Sequence, residues 1–448
     1  MRTLPAVGLV ACVMSVGAAA AQAQEGESAA PQQAPRFRFG AEAKLNLRSS
    51  TSREFKLSFP FPPSFFPPGE DGVYMRTPAA GTSFEVQYVS LTADAEWTPS
   101  LKGRVVVHLG DLYNRNPTSS AERVVVREAW LLMGTRYDVL RPQDGTRVYL
   151  LVGKAPRFTK QLDRHLESYG LWGTAVGRFE QLQAQLGGSL GRHVYWRLHA
   201  ANANPLFMRD PNALAGDFGT PETEPGHVDP IYQSGFPILY DTQAQDVRLG
   251  GNIELGGGAG VRWVGAEGRN GIDILGWYFR RDMQDKARIH GSYYEGDLEM
   301  LRGAGIPLAY VGRKKEEYGA NLQAHLAGLR CFGQVVRQDI AGLEREGLEI
   351  EVAYRFPLPG LFASGDTPVV NWIQPSVRYS TIDDKFAGPK TFVAPSFFWD
   401  WTKLDAGLRV GIIRSVDLTI EYARNEMTLL SGRKIHPDEG LATLRFAL

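Results

Sequence analysis

From Arg36 to Leu47 the chain alternates with period two. Phe37, Phe39, Ala41, Ala43, Leu45 and Leu47 fall on one face, and Arg38, Gly40, Glu42, Lys44 and Asn46 on the other. In a strand, successive side chains point to opposite faces, so this pattern writes one apolar and one polar surface. A helix would set Phe37 and Phe39 on opposed faces beside charge. The same writing recurs in Val89–Trp97, Leu101–Leu109, Val247–Leu255, Tyr318–Leu326, Leu348–Phe356, Leu404–Ile412 and Val416–Tyr422.

Segment length decides what such strands build. A soluble sandwich also alternates, but its strands average about five or six residues. The segments here reach the roughly nine to eleven residues that a tilted strand needs to cross a bilayer. After the N-terminal segment no run of about eighteen apolar residues follows, so a spanning helix is not expected. In lipid every backbone polar group must be satisfied, which leaves a closed barrel. The expected fold is therefore all-β, a transmembrane antiparallel β-barrel. Strands are expected at 36–47, 84–97, 101–112, 123–134, 147–155, 179–190, 192–203, 245–255, 259–267, 271–282, 317–328, 329–339, 345–356, 370–381, 402–413, 415–427 and 439–448. Single-chain barrels of this kind have an even number of strands. The expectation is sixteen, with eighteen as the alternative, and 259–267 is the segment to drop. About sixteen strands leave an aqueous lumen.

The termini fit export. Residues 1–23 read as a signal peptide: Arg2, an apolar stretch from Leu4 to Ala21, and Ala21-Gln22-Ala23 before the cut. Residues 24–35 form a polar lead-in, and 36–448 a single barrel domain. A competing reading takes Leu9-Val10-Ala11-Cys12 as a lipobox that acylates Cys12. After cleavage only Cys331 remains, so no intrachain disulfide is available. At the other end Leu444, Phe446 and Leu448 alternate with Thr443, Arg445 and Ala447, similar to the C-terminal sorting signal of bacterial outer-membrane proteins.

Turns and loops divide unevenly. Thr98-Pro99-Ser100 is a tight turn, and Gly256-Gly257-Gly258-Ala259-Gly260 reads as a flexible hairpin turn. Long connections are expected at 48–83, 156–178, 204–244, 283–316, 382–401 and 428–438; loops of this length are often functional. The first contains the stiff apolar run from Phe59 to Pro68. The second carries Arg157, Lys160, Arg164, His165 and Arg178 against Asp163 and Glu167, with Thr159–Leu166 expected as a short helical piece. Folded into the lumen, those five form a pore constriction that attracts anions; the bland alternative is a solvated loop of paired charges. Arg38, Glu42, Lys44, Lys102, Arg104 and His108 sit on the polar phase of their strands and are expected to face the lumen. Trp97, Tyr113, Trp130, Tyr149, Trp196, Trp263, Tyr278, Tyr354, Tyr379 and Tyr422 lie near strand ends, where interfacial girdles form.

Val126-Arg127-Glu128-Ala129-Trp130-Leu131, then Tyr149-Leu150-Leu151-Val152-Gly153-Lys154-Ala155-Pro156, then the polar stretch to Gly177, resemble the early half of the phosphate-selective porin O/P type. The resemblance covers residues 84–204 and the general architecture. It implies a sixteen-stranded barrel, often trimeric, that passes anions past an inward-folded loop.

Other chemistry finds little footing. Lys and Arg total 49 against 49 Asp and Glu, so no basic excess marks a nucleic-acid binder. His290-Gly291-Ser292 has the spacing of a barrel phospholipase pair but lacks an orienting partner. No histidine pair has metal-ligand spacing, and Asp383-Asp384 and Asp282/Asp285 are isolated acid pairs. No enzyme activity, metal or cofactor is expected. The expected function is passive diffusion of small hydrophilic solutes or anions through the outer membrane, the barrel seated in outer-membrane lipid. The alternative is an outer-membrane barrel whose long loops bind a ligand or partner for uptake, adhesion or assembly. A soluble secreted β-protein is the third reading.

Overall fold

A computed structural model describes residues 34–50, 81–110, 124–135, 146–161, 163–168, 170–172, 180–202, 253–265, 270–282, 314–340, 343–358, 370–385, 400–428 and 438–448. It also describes the short pieces 54–58, 72–76, 232–234, 362–364, 367–369, 432 and 434–436. The main sheet has eighteen strand segments, of which Phe356–Pro357 and Lys434–Ile435 are two-residue pieces beside longer strands. The rest are sixteen barrel strands: β1 Arg36–Ser50, β2 Gly81–Thr98, β3 Leu101–Gly110, β4 Val124–Gly134, β5 Arg147–Pro156, β6 Glu180–Leu190, β7 Val194–Asn202, β8 Glu254–Val264, β9 Asn270–Asp282, β10 Lys314–Leu326, β11 Leu329–Ile340, β12 Leu343–Tyr354, β13 Trp372–Asp384, β14 Asp400–Ile413, β15 Val416–Thr428 and β16 Glu439–Ala447.

Each strand pairs antiparallel with the next, and β16 returns to β1 in the register Glu42↔Ala447 to Ser50↔Glu439. Leu448 completes the seam: its amide donates to the Ala41 carbonyl at 2.8 Å, and the Ala41 amide donates to the Leu448 carbonyl at 3.3 Å. Closure leaves no sheet edge among these strands. Tight turns at 99–100, 191–193, 327–328 and 414–415 gather at one end, and most long connections at the other. Only two residues separate Ile340 from Leu343, a short exception at the long-loop end.

The two faces are inverted relative to a soluble protein. Phe39 is 72% exposed and Phe84 68%, and Leu198, Leu255, Val335, Val377, Leu404 and Ile420 are also exposed outward. A contiguous apolar surface of this extent is stable against lipid, not water. Inward stand the polar residues of the same strands, with Gln185, Arg262, Glu349, Arg378, Lys403 and Asp405 fully buried. Among the described residues no helix is long and apolar enough to cross a membrane.

Where they are described, the expected segments 245–255 and 259–267 belong to one strand; residues 245–252 and 266–267 lie outside the described residues. Glu254–Val264 runs through the glycine series, which is therefore not a hairpin turn. Gly256, Gly258 and Gly260 occupy inward positions, and a Cβ there would meet Phe279, Phe158 and Tyr195 respectively. The glycines are a flat floor for rings inside the barrel, and merging the two segments turns seventeen into sixteen. Of the expected girdle residues, Trp263, Tyr278, Tyr354, Tyr379 and Tyr422 are exposed on the outer face. Trp130 and Tyr149 instead point inward, because β4 and β5 pack Leu132, Tyr149, Leu151 and Ala155 into a small apolar cluster on their inner face, against Trp130. Tyr113, residues 59–68, His290-Gly291-Ser292 and residues 1–23 lie outside the described residues.

Candidate functional site: a loop seated inside the barrel

The chain leaves β5 at Pro156 and turns inward instead of arching over the end of the barrel. A turn closes with the Lys160 amide donating to the Arg157 carbonyl at 3.1 Å. Among the described residues of Thr159–Leu166 no regular helix forms. Leaving the ladder frees the Ala155 and Pro156 carbonyls, and two inward glutamines of β6 deal with them. Gln183 donates to both carbonyls, Gln185 donates to Pro156 at 3.0 Å, and Gln185 also donates to the Gln183 side-chain oxygen at 2.8 Å. Buried backbone groups demand such partners.

Beyond the turn the loop is held by wall side chains from strands far away in sequence. Arg157 is buried between Glu254 of β8 and Glu317 of β10, donating to Glu317 at 2.8 Å, with its guanidinium 4.2 Å from the Phe279 ring centre. Asn321 donates to the Thr159 carbonyl at 2.7 Å. Glu351 of β12 accepts from the His165 amide at 3.0 Å and from Gln161 at 2.9 Å, and lies 2.8 Å from His165 Nδ1. Glu421 of β15 accepts the amides of Glu167 at 2.7 Å and Ser168 at 2.5 Å. Glu349 accepts the Trp172 amide at 2.9 Å, and the indole donates to the Thr381 carbonyl at 2.6 Å over Gly347, where a Cβ would collide with it. Arg378 of β13 ties loop to wall, donating to the Ser168 carbonyl at 2.9 Å, to Glu351 at 3.1 Å and to Asp405 at 3.0 Å. Lys44 of β1 reaches Glu167 at 2.5 Å.

Carboxylates thus serve as acceptors for loop amides that would otherwise be orphaned in the lumen. Buried ion pairs add little net stability, but breaking one strands a charge, so the network fixes position more than it adds energy. His165 illustrates this. Burial alone would lower its pKa, yet hydrogen bonds and charge from Asp163 and Glu351 outweigh it and raise the value to about 9. For Glu167, burial acts upward, and Lys44, Arg164 and Arg409 bring it down to about 2. Burial works against the Arg157 cation, and the two carboxylates beside it more than compensate.

The structure brings Arg157, Lys160, Arg164 and His165 together on the inward loop; Arg178 lies outside the described residues. Arg157 and His165 turn into the wall. Lys160, 29% exposed at its side chain, lies 3.2 Å from Glu180, which also holds Arg127 at 2.8 Å. Arg164, 18% exposed, lies 3.6 Å from Glu167. Lys160 and Arg164 are thus the loop cations that keep an open side. Arg38, Glu42, Lys44, Lys102, Arg104 and His108 all occupy inward positions. Arg104 grips Asp94 with two bonds of 2.6 and 3.0 Å, and Lys102 faces Glu96 at 3.5 Å. Glu42 accepts from Tyr88 at 2.7 Å and Arg445 at 2.6 Å, and His108 stacks on Tyr88 at 4.6 Å. Sequence reasoning missed Glu254, Glu317, Glu349, Glu351, Asp405, Glu421 and Arg378 as anchors. Each is an ordinary polar position in its own strand, and only the closed register brings them to one level. Among the described residues no group of three or more His, Cys, Asp or Glu is arranged to hold a metal.

No protein-family model matches the chain, and no curated protein matches it. Solved structures do. The outer membrane channel DcaP of Acinetobacter baumannii superposes with a TM-score of 0.50 at 10% identity, over 95% of this chain and 100% of that one. Outer-membrane expressed OmpT of Vibrio cholerae follows at 0.46 and 10%, over 94% and 99%. An anion-selective porin from Comamonas acidovorans gives 0.45 and 8%, over 92% and 100%. At such identities the likeness is one of fold: a closed sixteen-stranded membrane barrel.

Proposed function

We propose that this chain is a porin-like channel of the bacterial outer membrane, exported by residues 1–23, through which small hydrophilic solutes diffuse without chemical change. The observation that carries the reading is the seated loop: a polar-lined barrel with the described residues of 157–172 inside it, tied to the wall by hydrogen bonds and ion pairs, the place where a lumen would be narrowed. The fold shared with the outer membrane channel DcaP supports it. Release of entrapped small sugars from proteoliposomes carrying the refolded chain tests it. Size-limited efflux is expected, and retention of every solute by a folded, inserted barrel would overturn it.

A preference for anions belongs to the same reading. The open-sided cations Lys160 and Arg164 support it, as does the resemblance of residues 84–204 to the phosphate-selective porin type. A homotrimer also belongs to it. The outer faces of β3–β8 near the long-loop end are built from Val, Leu, Ala and Gly, including Leu109, Val124, Val152, Leu182, Leu198 and Leu255. Across β9–β15 the same level carries Tyr278, Tyr318, Tyr422 and the pairs Arg337–Glu344 and Lys385–Glu346. A flat aliphatic face suits a second copy, and a tyrosine-and-charge belt suits lipid headgroups. The mass of the detergent-solubilised particle distinguishes one copy from three.

A further inference from the structure

A groove of about 370 Å³ opens on the outer face of the barrel between β10 and β13. The strand register builds it from two rows of outward side chains. Ala320, Val335, Leu348 and Thr381 stand side by side across the four strands. Two residues nearer the long-loop end, Tyr318, Arg337, Glu346 and Asp383 form the next row. The first row is a low, mostly apolar floor, and the second is a charged rim. The exposed rings of Tyr278, Tyr318 and Tyr422 put the rim at the headgroup level of a bilayer. Away from the rim the groove runs on along β11, whose outward Gly333 and Cys331 are small beside Leu322 of β10 and Ile350 and Val352 of β12. From Val335 to Cys331 this track is about 14 Å long.

The rim carries its charges in a defined order. Glu346 and Asp383 are direct partners across the ladder, an unfavourable pairing of like charges. Lys385 lies 2.9 Å from Glu346 and answers one of them. The Asp383 carboxylate is exposed and has no hydrogen bond or ion pair among the described residues. On the other side Arg337 is held by an exposed pair with Glu344 at 2.9 Å, a contact of little net worth that a stronger acceptor can displace. An exchangeable cation thus stands two strands, about 10 Å, from an unanswered carboxylate.

We propose that this groove binds one phospholipid whose headgroup carries both a phosphate and an ammonium, with an acyl chain laid along β11. Arg337 takes the phosphate and Asp383 the ammonium, so the two ends of the headgroup match the sign and order of the rim. A headgroup with a phosphate and no amine would leave Asp383 unanswered. Val335, Gly333 and Cys331 accept the chain because their neighbours on β10 and β12 stand higher. The site belongs to the outer wall and is independent of what the lumen passes.

The test is native mass spectrometry of the refolded full chain, released from micelles containing phosphatidylethanolamine or, separately, phosphatidylglycerol with the same acyl chains. One phosphatidylethanolamine is expected to be retained at about tenfold lower lipid concentration than phosphatidylglycerol, the scale of one charge-assisted bond. Asp383→Asn is expected to abolish that difference. Gly333→Leu, at a position where a Cβ meets nothing nearer than 3.8 Å, fills the track and is expected to weaken retention of both lipids. Heat-dependent mobility in gels checks that each variant is folded. Equal retention of the two lipids by the parent chain overturns the proposal, as does a preference that survives Asp383→Asn. Retention unchanged in Gly333→Leu places the chain elsewhere on the wall and overturns it too.

Discussion

The Lys44 ammonium of the first strand stands 2.5 Å from the carboxylate of Glu167, a residue 123 positions later on the inward loop. Both side chains are buried, so the contact joins the seam of the barrel to the loop seated inside it. Lys44→Met leaves Glu167 buried without its strongest counter-charge. It is expected to cost about 3–5 kcal/mol in urea unfolding of the micelle-bound barrel, and Lys44→Met with Glu167→Leu to recover most of that. A single variant within about 1 kcal/mol of the parent would show that the pair does not anchor the loop.

Seating of the loop depends on pH through His165. Its folded pKa of about 9 lies above the unfolded value near 6.5. The stabilisation is therefore complete below about pH 6.5 and is lost as pH rises through 9. Glu167 behaves in the opposite sense: with a folded pKa of about 2, its contribution is present above the unfolded value near 4.5 and lost as pH falls through 2. Current through single channels is expected to be quiet at pH 6 and to flicker at pH 10, and His165→Gln to flicker at both. Identical noise at the two pH values in the parent would contradict this.

The glycine floor of β8 gives a packing test. Gly260→Ala puts a Cβ into the Tyr195 ring and is expected to destabilise by about 1–3 kcal/mol. Gly276→Ala on the outer face of β9 meets nothing nearer than 4.0 Å and is expected to be tolerated. Equal stability of the two variants, measured by thermal loss of the folded gel band, would mean that the rings do not rest on the strand.

Ile420, 56% exposed on the outer face of β15, tests the environment of the barrel. Ile420→Arg is expected to cost about 2–4 kcal/mol in a lipid bilayer, the penalty for a cation near the midplane of a lipid-facing strand. A water-facing position would tolerate it within about 0.5 kcal/mol.

Much of this architecture was legible in the sequence, because lipid on one side and water on the other force a period of two. The alternation of residues 36–47 by itself puts Arg38, Glu42 and Lys44 on the polar face. The glycines of β8 misled because the usual meaning of a glycine run is a turn, whereas here they admit Phe279, Phe158 and Tyr195. The cationic loop was visible as composition, but not its partners. Arg157 pairs with residues 97 and 160 positions away, and local pattern carries no information about such separations. The carboxylates that hold the loop look the same, strand by strand, as carboxylates that face open water.

The loop seated inside the barrel is the element proposed to narrow the pore. Its most direct test is the unit conductance, in a planar bilayer, of the refolded chain beside a variant in which residues 158–172 are replaced by a short Gly-Ser link. Stable steps in the parent and larger steps in the variant are predicted. Equal conductance in two folded barrels would place the constriction elsewhere and contradict the account.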